Sequence, residues 1–286
     1  MRPFSDIERL ERAQVLDKPA GALRKAVQSL VSSPQVKDAL HGVWLGHPLH
    51  PALAQVTLGS LLSASMIDAV RGRRGYSTGL ILAGLLSTPA TAAAGATDWS
   101  QANPDQQRVG LVHAATNAVA SACYIAALSQ RARGRGGRLL SVLGGAVSAV
   151  GATLGGHLGY RQAMGANHAD RVIDLAPAEW RPIGPLTDLP DGRPVRRDAG
   201  EVAVLVLRRG DDVVVLADRC PHLAAPLHEG SLAGADGDAR IVCPWHGSEF
   251  RLTDGCVLHG PATAPAPAFD TRTVGGELQV RLRPAG

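Results

Sequence analysis

The chain has 286 residues, four more Lys and Arg than Asp and Glu, and 3% aromatic side chains. This length is sufficient for two modest domains. The excess basic residues cluster in two arginine-rich stretches instead of one basic stripe with interleaved aromatics, so nucleic acid is excluded as an expected partner. Four cysteines in a chain of this size also exclude a disulfide scaffold.

Residues 1–40 form a polar N-terminal segment in which two short amphipathic helices are predicted, near 5–16 and 20–32. Pro19 and Pro34 mark their breaks. The first 25 residues carry charges throughout and contain no apolar stretch, so a cleavable signal peptide of the usual kind is not predicted.

Residues 41–160 are predicted to be a four-span membrane domain. Each of its apolar segments is close to the ~20 residues that cross a bilayer as a helix. The segments are only moderately hydrophobic, so a buried helical bundle of a soluble protein stays open as the alternative. The segments are 52–70, 78–97, 109–129 and 139–159.

Charge in the loops favours the membrane. Loops 71–77 and 130–138 carry seven arginines and no acid, whereas loop 98–108 contains Asp98, Asp105 and Arg108. Cytoplasmic loops are enriched in basic residues, so both termini are expected on the extracytoplasmic side. The cytoplasmic side stays open as the alternative, because a folded metal cluster needs a dedicated export signal and none is found before the fourth segment.

Small residues recur at a spacing of four along the fourth segment. Such rows let helices pack closely where lipid provides no hydrophobic drive for association. The two rows are Gly144, Ser148, Ala152 and Gly156, and Gly151, Gly155 and Gly159.

Four histidines, His47, His50, His113 and His157, are expected at one membrane face, because the first and third segments start where the second and fourth end. Ionisable residues within spans are costly and usually functional. His113 and His157 are the candidates for binding a b-type haem or another metal, or for a quinone site. The alternative is that these histidines cap helix ends and bond to Asp98, Asn117 or backbone carbonyls.

After a linker at 161–180, residues 181–286 are predicted to be a small antiparallel β domain. Alternating apolar and polar residues indicate strands, and Gly, Pro and Asp clusters separate them. The strand candidates are Glu201–Leu207, Val213–Ala217, Ala239–Val242, Ala268–Val274 and Glu277–Leu282. The fold class is therefore α + β multidomain, a transmembrane four-helix bundle followed by an all-β domain.

Two loops of this domain carry a metal-binding pattern. Cys220-Pro-His222 and, 20 residues later, Cys243-Pro-Trp-His246 each pair one thiolate with one imidazole. In a Rieske centre two Cys bind one iron of a [2Fe–2S] cluster and two His bind the other. A Cys2His2 zinc site is the competing interpretation, but zinc fingers usually pair Cys with Cys and His with His. Ser248 is a candidate hydrogen-bond donor to the cluster.

On these residues the C-terminal part, roughly 180–284, resembles the Rieske ferredoxin-like family. The matching text is Cys-Pro-His-Leu-Ala-Ala-Pro-Leu-His-Glu-Gly at 220–230, Cys-Pro-Trp-His-Gly-Ser-Glu-Phe at 243–250 and Gly-Pro-Ala-Thr-Ala-Pro-Ala-Pro at 260–267. The resemblance implies a β sandwich that carries the cluster at its tip and passes electrons singly. Residues 40–160 resemble a bacterial membrane family of unknown function, through His41-Gly-Val-Trp-Leu-Gly-His47-Pro-Leu-His50-Pro.

Three positions separate the chain from the respiratory branch of the Rieske family. That branch has two additional cysteines, which pair as a disulfide, and a hydrogen-bonding Tyr, where this chain has Ala225, Trp245 and Phe250. Fewer donors to the sulfurs imply a potential in the lower part of the family's range of about −150 to +300 mV. Quinol oxidation is accordingly the less expected activity.

The resemblances together imply an integral protein of the bacterial cell membrane that transfers single electrons between a redox donor and an acceptor. The alternatives are an electron-transfer subunit of an oxygenase or nitrite-reductase-type oxidoreductase, a redox sensor, or a haem-containing membrane redox protein. Whether the chain is itself an enzyme stays open. An oxygenase would need a separate mononuclear iron site, for which the chain has no large soluble domain.

Overall fold

The computed structural model describes residues 5–71 and 73–284. The predicted segment 1–40, the first arginine loop and the predicted β domain extend into residues 1–4, 72 and 285–286, which lie outside the described residues. The chain divides into two compact units. Unit 1 contains the residues up to Val36 and Pro48–Gly165, and unit 2 contains Lys37–His47 and the residues from Ala166 onward.

Unit 1 is helical. The fourth long helix continues into a π-helical turn, His157–Arg161. The α-helices of this part of the chain are α1 Ser5–Glu11, α2 Asp17–Leu30, α3 Pro34–His41 (shared with unit 2), α4 Leu49–Ala69, α5 Arg74–Trp99, α6 Pro104–Ala132 and α7 Arg138–Gly156.

Among the described residues, α4, α5, α6 and α7 with its π-helical turn are long and apolar enough to cross a membrane. The four predicted apolar segments are thereby confirmed as helices. The start of α6 is built from local sequence: Pro104 occupies the first turn, and the Asn103 backbone N–H donates to Gln106 Oε1 at 2.9 Å in a capping box.

Small residues of α7 lie against side chains of its neighbours. A Cβ added at Gly145 would lie 2.6 Å from the Ser65 side chain, and one added at Gly151 would lie 2.7 Å from Asn117 Oδ1. Glycine is therefore required at both places for this helix spacing.

Two groups of buried polar side chains in the bundle are paired. Tyr124 is fully buried, and its hydroxyl donates to Leu61 O at 3.0 Å and lies 2.8 Å from Ser65 Oγ. At the end of the bundle that carries the arginine loops, the Arg131 guanidinium forms a buried ion pair with Asp68. A buried charge is tolerated only with such a partner.

Unit 2 contains two antiparallel sheets and the helix α8 Asp170–Leu175. The first sheet has the order β1-β10-β9-β4-β3-β2 and the second β5-β6-β7-β8. The strands are β1 Arg181–Pro185, β2 Val195–Ala199, β3 Val202–Arg209, β4 Asp212–Ala217, β5 Ser231–Ala233, β6 Arg240–Val242, β7 Glu249–Arg251, β8 Val257–His259, β9 Ala268–Val274 and β10 Glu277–Leu282.

Strand β3 separates two cores. Val204 and Val206 face one core, which also contains Phe269. Leu205 and Leu207 face the other, because successive side chains of a strand point to opposite faces. The second core contains Cys220 and Cys243, so the large sheet supports the loops that carry the cysteines.

Candidate iron–sulfur centre

The first cysteine loop follows β4 and is closed by its own backbone. Cys220 N–H donates to Ala225 O at 2.9 Å, and Ala224 N–H donates back to Cys220 O at 2.8 Å. The loop ends in the 3-10 turn Leu227–Glu229, whose Leu227 is fully buried. These bonds hold Cys220 and His222 in one compact turn.

The second loop joins β6 to β7 in a similar way. Cys243 N–H donates to Ser248 O at 2.8 Å, and Gly247 N–H donates to Cys243 O at 3.1 Å. Gly247 has φ +74°, a left-handed conformation that favours glycine. The turn therefore brings the His246 backbone N–H to the Cys243 thiol, whose pKa it helps to lower, and Trp245 is left 55% exposed.

The two loops bring the four predicted ligands together. The rings of His222 and His246 meet edge to face, with centroids 4.9 Å apart and planes at 89°. Cys220 and Cys243 are both free thiols and are 1% and 4% exposed. A hydrogen bond between the two thiols raises the pKa of Cys220 and lowers that of Cys243, so one member of the pair is ready to ionise.

The histidines are held in the form that binds metal. Burial, followed by the neighbouring His246, His41 and His168, lowers the pKa of His222 to about 3. Burial also lowers the pKa of His246. His222 Nδ1 is buried and has no hydrogen-bond partner among residues 5–71 and 73–284. An uncharged imidazole with an unused buried nitrogen beside two thiols fits a Rieske-type cluster.

Ser248 is fully buried next to this centre. Its Oγ accepts the Ala262 N–H at 2.9 Å, so its own hydroxyl proton is left to point elsewhere. Phe250 is also fully buried and lies in the same core as the cysteines. The Ser248 hydroxyl, which is the predicted hydrogen-bond donor to the cluster, is thus held by a third loop of this domain. This third loop runs from His259 to Pro267.

Asp218 holds the end of the first cysteine loop through two contacts with His228. It is 7% exposed, and its Oδ1 accepts the His228 N–H at 2.7 Å while its Oδ2 lies 2.6 Å from His228 Nδ1. Sequence analysis made neither residue a candidate ligand. Their ten-residue separation gives no local signal for this pairing.

Two further residues come from a part of the chain far from the cysteines. Asp38 Oδ2 lies 2.7 Å from His259 Nδ1, and Asp38 Oδ1 accepts the Gly260 N–H at 2.9 Å. His41 is 2% exposed and packs against Gly260. Sequence reasoning missed both, because no spacing rule connects positions more than 200 residues apart.

The histidines of unit 1 are arranged differently from the predicted pair. His113 faces His50, with ring centroids 6.5 Å apart, while His157 Nε2 lies 2.6 Å from Glu11 Oε1. His50 Nδ1 lies 2.9 Å from Thr91 O, and His113 Nδ1 lies 2.8 Å from Gly151 O. His47 is exposed.

Comparison with known proteins identifies both parts of the chain. The model of the Rieske [2Fe-2S] domain matches residues 179–270, and that of a predicted membrane protein family (DUF2231) matches residues 46–168. The chain belongs to the Rieske [2Fe–2S] family and contains in addition a domain of this membrane family.

Relatives of the Rieske part include a ferredoxin subunit and an iron-sulfur subunit. The anthranilate 1,2-dioxygenase ferredoxin subunit of Burkholderia cepacia is 30% identical over 37% of this chain and 94% of its own length. The cytochrome b6-f complex iron-sulfur subunit of Chlorobaculum thiosulfatiphilum is 26% identical over 34% of this chain and 50% of its own length.

A solved structure of similar length to the Rieske part is the ferredoxin of carbazole 1,9a-dioxygenase from Nocardioides aromaticivorans. It is 29% identical and covers 36% of this chain and 98% of its own, with a TM-score of 0.34. The Rieske family match and the similarity to the dioxygenase ferredoxin subunit show that the chain carries a Rieske electron-transfer domain with one [2Fe–2S] cluster, which confirms the predicted cofactor.

Proposed function

We propose that the protein is a membrane-anchored single-electron carrier whose cluster is held by Cys220, His222, Cys243 and His246. The thiolates would bind one iron and the imidazoles the other. When bound, the cluster accepts and releases one electron at a time. The observation that carries the proposal is the convergence of two buried, hydrogen-bonded thiols and two uncharged imidazoles from facing loops.

Buried apolar side chains cover one side of this centre, and residues of the second cysteine loop expose the other side to solvent. Leu205, Leu216 and Phe250 are fully buried in the core that contains the cysteines, so water is excluded on the sheet side. Pro244 and Trp245 are exposed, and His246 beside them is partly exposed. Redox partners are proposed to approach at this second loop.

The helices of unit 1 would anchor the electron carrier in the membrane. The proposal is supported by the four apolar helices and by the matching membrane family. Because the arginines of loops 71–77 and 130–138 favour the cytoplasm, we place the Rieske domain on the extracytoplasmic side. A reporter fused after Gly286 that is active only outside the cytoplasm supports this orientation, and one active only inside overturns it.

The function is tested by purifying the full chain from membranes in mild detergent and comparing Cys220→Ser with Cys256→Ser. Cys256 is an exposed free thiol, so its variant is a matched control. The parent and Cys256→Ser should retain iron–sulfur absorbance, and Cys220→Ser should lose it. Equal absorbance in both variants, or recovery of the folded chain in the soluble fraction, would contradict the proposal.

A second candidate is an electron-transfer component of an oxygenase or nitrite-reductase-type system. It is favoured by the similarity to a dioxygenase ferredoxin subunit over 94% of that protein. Reduction by a flavin-dependent reductase that uses a nicotinamide cofactor, with no reduction by quinol, would favour this role. Rapid reduction by quinol would favour a respiratory donor instead.

A haem in unit 1 is the third candidate. His157 interacts with Glu11 rather than with His113, which makes the predicted His113–His157 pair the weaker choice. His50 and His113 face each other instead, and the Nδ1 atom of each lies within hydrogen-bond distance of a backbone carbonyl. A Soret band in the purified protein would establish a haem.

A further inference from the structure

A segment outside the Rieske family match packs on the Rieske loops. Lys37–His47 belongs to unit 2, although the Rieske match begins only at residue 179. The segment contributes the end of α3 and a 3-10 turn, Val43–Leu45, which packs on β8. The Rieske unit of this chain therefore includes residues that precede the first apolar helix.

Asp38 is the polar anchor of this segment. Its carboxylate accepts the Gly260 N–H at 2.9 Å, and its second oxygen lies 2.7 Å from His259 Nδ1. The Asp38 side chain is 20% exposed. Both partners stand at the start of the third loop, so one carboxylate fixes two consecutive residues of that loop.

Packing reinforces the same contact. A Cβ added at Gly260 would lie 3.2 Å from Val43 Cγ2 and 3.3 Å from His41 Cδ2. His41 is 2% exposed. The side chains of Val43 and His41 therefore pack directly on the backbone of the third loop at Gly260.

The third loop in turn fixes Ser248. Two residues after Gly260, Ala262 N–H donates to Ser248 Oγ at 2.9 Å, and both residues are buried. Because Oγ already accepts this bond, the hydroxyl proton is available for a different acceptor. Ser248 lies five residues after Cys243, in the loop that carries two of the proposed ligands.

We infer that Asp38 is a positioning residue for the cluster, acting through Gly260, Ala262 and Ser248 to raise its reduction potential. The inference rests on the proposed ligand set. A hydroxyl held toward the cluster sulfurs stabilises the added electron, so the potential rises when the Ser248 hydroxyl is well oriented. A carboxylate acting by its charge alone would lower the potential, because it favours the more positive oxidised cluster.

The test is a double-mutant cycle on the intact protein in detergent, with potentials from redox titrations followed by EPR. Asp38→Ala and Ser248→Ala should each lower the potential. The double variant should match Ser248→Ala, because both changes remove the same interaction. Asp38→Asn keeps an oxygen that can accept the Gly260 N–H, so its potential should stay near that of the parent.

Asp211→Asn is the matched control for loss of charge, since Asp211 lies at the opposite end of β4 from the cysteine loop. The reduction potential of the cluster in Asp211→Asn should equal that in the parent. A raised potential in both Asp38 variants would overturn the inference in favour of a charge effect. Shifts of Asp38→Ala and Ser248→Ala that simply add would overturn it by showing that the two residues act independently. An unchanged potential in Asp38→Ala would overturn it as well.

If Asp38→Ala loses the cluster, His259→Ala takes its place in the test. This variant removes one of the two hydrogen-bond contacts of Asp38, and the His259 side chain is half-exposed. This variant should lower the potential and show the same non-additivity with Ser248→Ala; an unchanged potential, or an additive shift, would overturn the inference. A parent protein without a Rieske EPR signal would refute the proposed function. A parent with the signal whose variants keep its potential would refute only the role of Asp38.

Discussion

His222 and His246 meet edge to face across two loops that are 20 residues apart in sequence, with ring centroids 4.9 Å apart. Each ring comes from a turn that also carries one of the two hydrogen-bonded cysteines. The two loops together would supply two thiolates for one iron and two imidazoles for the other, the ligand set of a Rieske cluster.

Replacing His246 tests the imidazole side of the centre. His246→Ala removes one proposed iron ligand, so the EPR signal of the reduced cluster should fall to near zero. Glu201→Ala is the control, because Glu201 is an exposed residue of the same unit. A full Rieske signal in His246→Ala would contradict its assignment as a ligand.

Phe250→Tyr should raise the reduction potential. Phe250 is fully buried in the core that contains both cysteines, and a tyrosine there would add one hydrogen-bond donor. A net hydrogen bond of about 0.5–1.5 kcal/mol corresponds to a shift of about 20–60 mV for one electron. Redox titration measures the shift, with Phe269→Tyr in the other core as the control. A fall in potential would contradict the expectation.

Asp218→Ala should loosen the first cysteine loop. The change leaves the His228 N–H without its 2.7 Å partner and costs about 1–3 kcal/mol of folding free energy. The rate of iron transfer to a chelator should rise. Asp212→Ala, at an exposed position at the start of β4, should leave that rate unchanged. Equal rates in the two variants would show that Asp218 does not hold the loop.

The pKa of His222 makes a prediction for protein prepared without iron. Its ring should stay neutral until the pH approaches 3. The unfolded chain takes up this proton near pH 6.5, so the folded form loses stability as the pH falls from 6.5 towards 3. The loss is about 1.4 kcal/mol per pH unit for this group. An NMR titration of the ring with a midpoint near 6.5 would contradict it.

The histidines of unit 1 are expected to serve the structure of the bundle. His157 interacts with Glu11 at 2.6 Å, and His113 lies 2.8 Å from Gly151 O. The purified protein with a fully loaded cluster should therefore show no Soret band. His157→Ala should lower the thermal stability in detergent. Lys25→Ala should not, because Lys25 is an exposed residue of the same unit. A Soret band lost in His113→Ala would show a haem instead.

The features that could be predicted from sequence are those encoded locally. The apolar runs that became α4, α5, α6 and α7 extend over whole helices, and the residues of each cysteine motif lie within one turn. The strands Ala268–Val274 and Glu277–Leu282 were found with their exact bounds, because the Gly275-Gly276 turn separates them clearly.

The features that could not be predicted depend on tertiary contacts. Strands β5, β7 and β8 have three residues each, too few for an alternating pattern to stand out. The equally short β6 was predicted, as Ala239–Val242. The interaction of Asp38 with His259 joins residues separated by 221 positions. The contact of His50 with His113 depends on how α4 packs in the bundle. Sequence spacing alone carries no information on such pairs.

The most direct test of the central claim is a combined iron, sulfide and redox determination on the intact protein. The chain should contain two irons and two sulfides, and the reduced protein should give the EPR spectrum of a Rieske cluster. That signal should titrate as a single one-electron step in the lower part of the range of about −150 to +300 mV. One bound zinc with no EPR signal, or a cluster whose signal survives in Cys220→Ser, would contradict it.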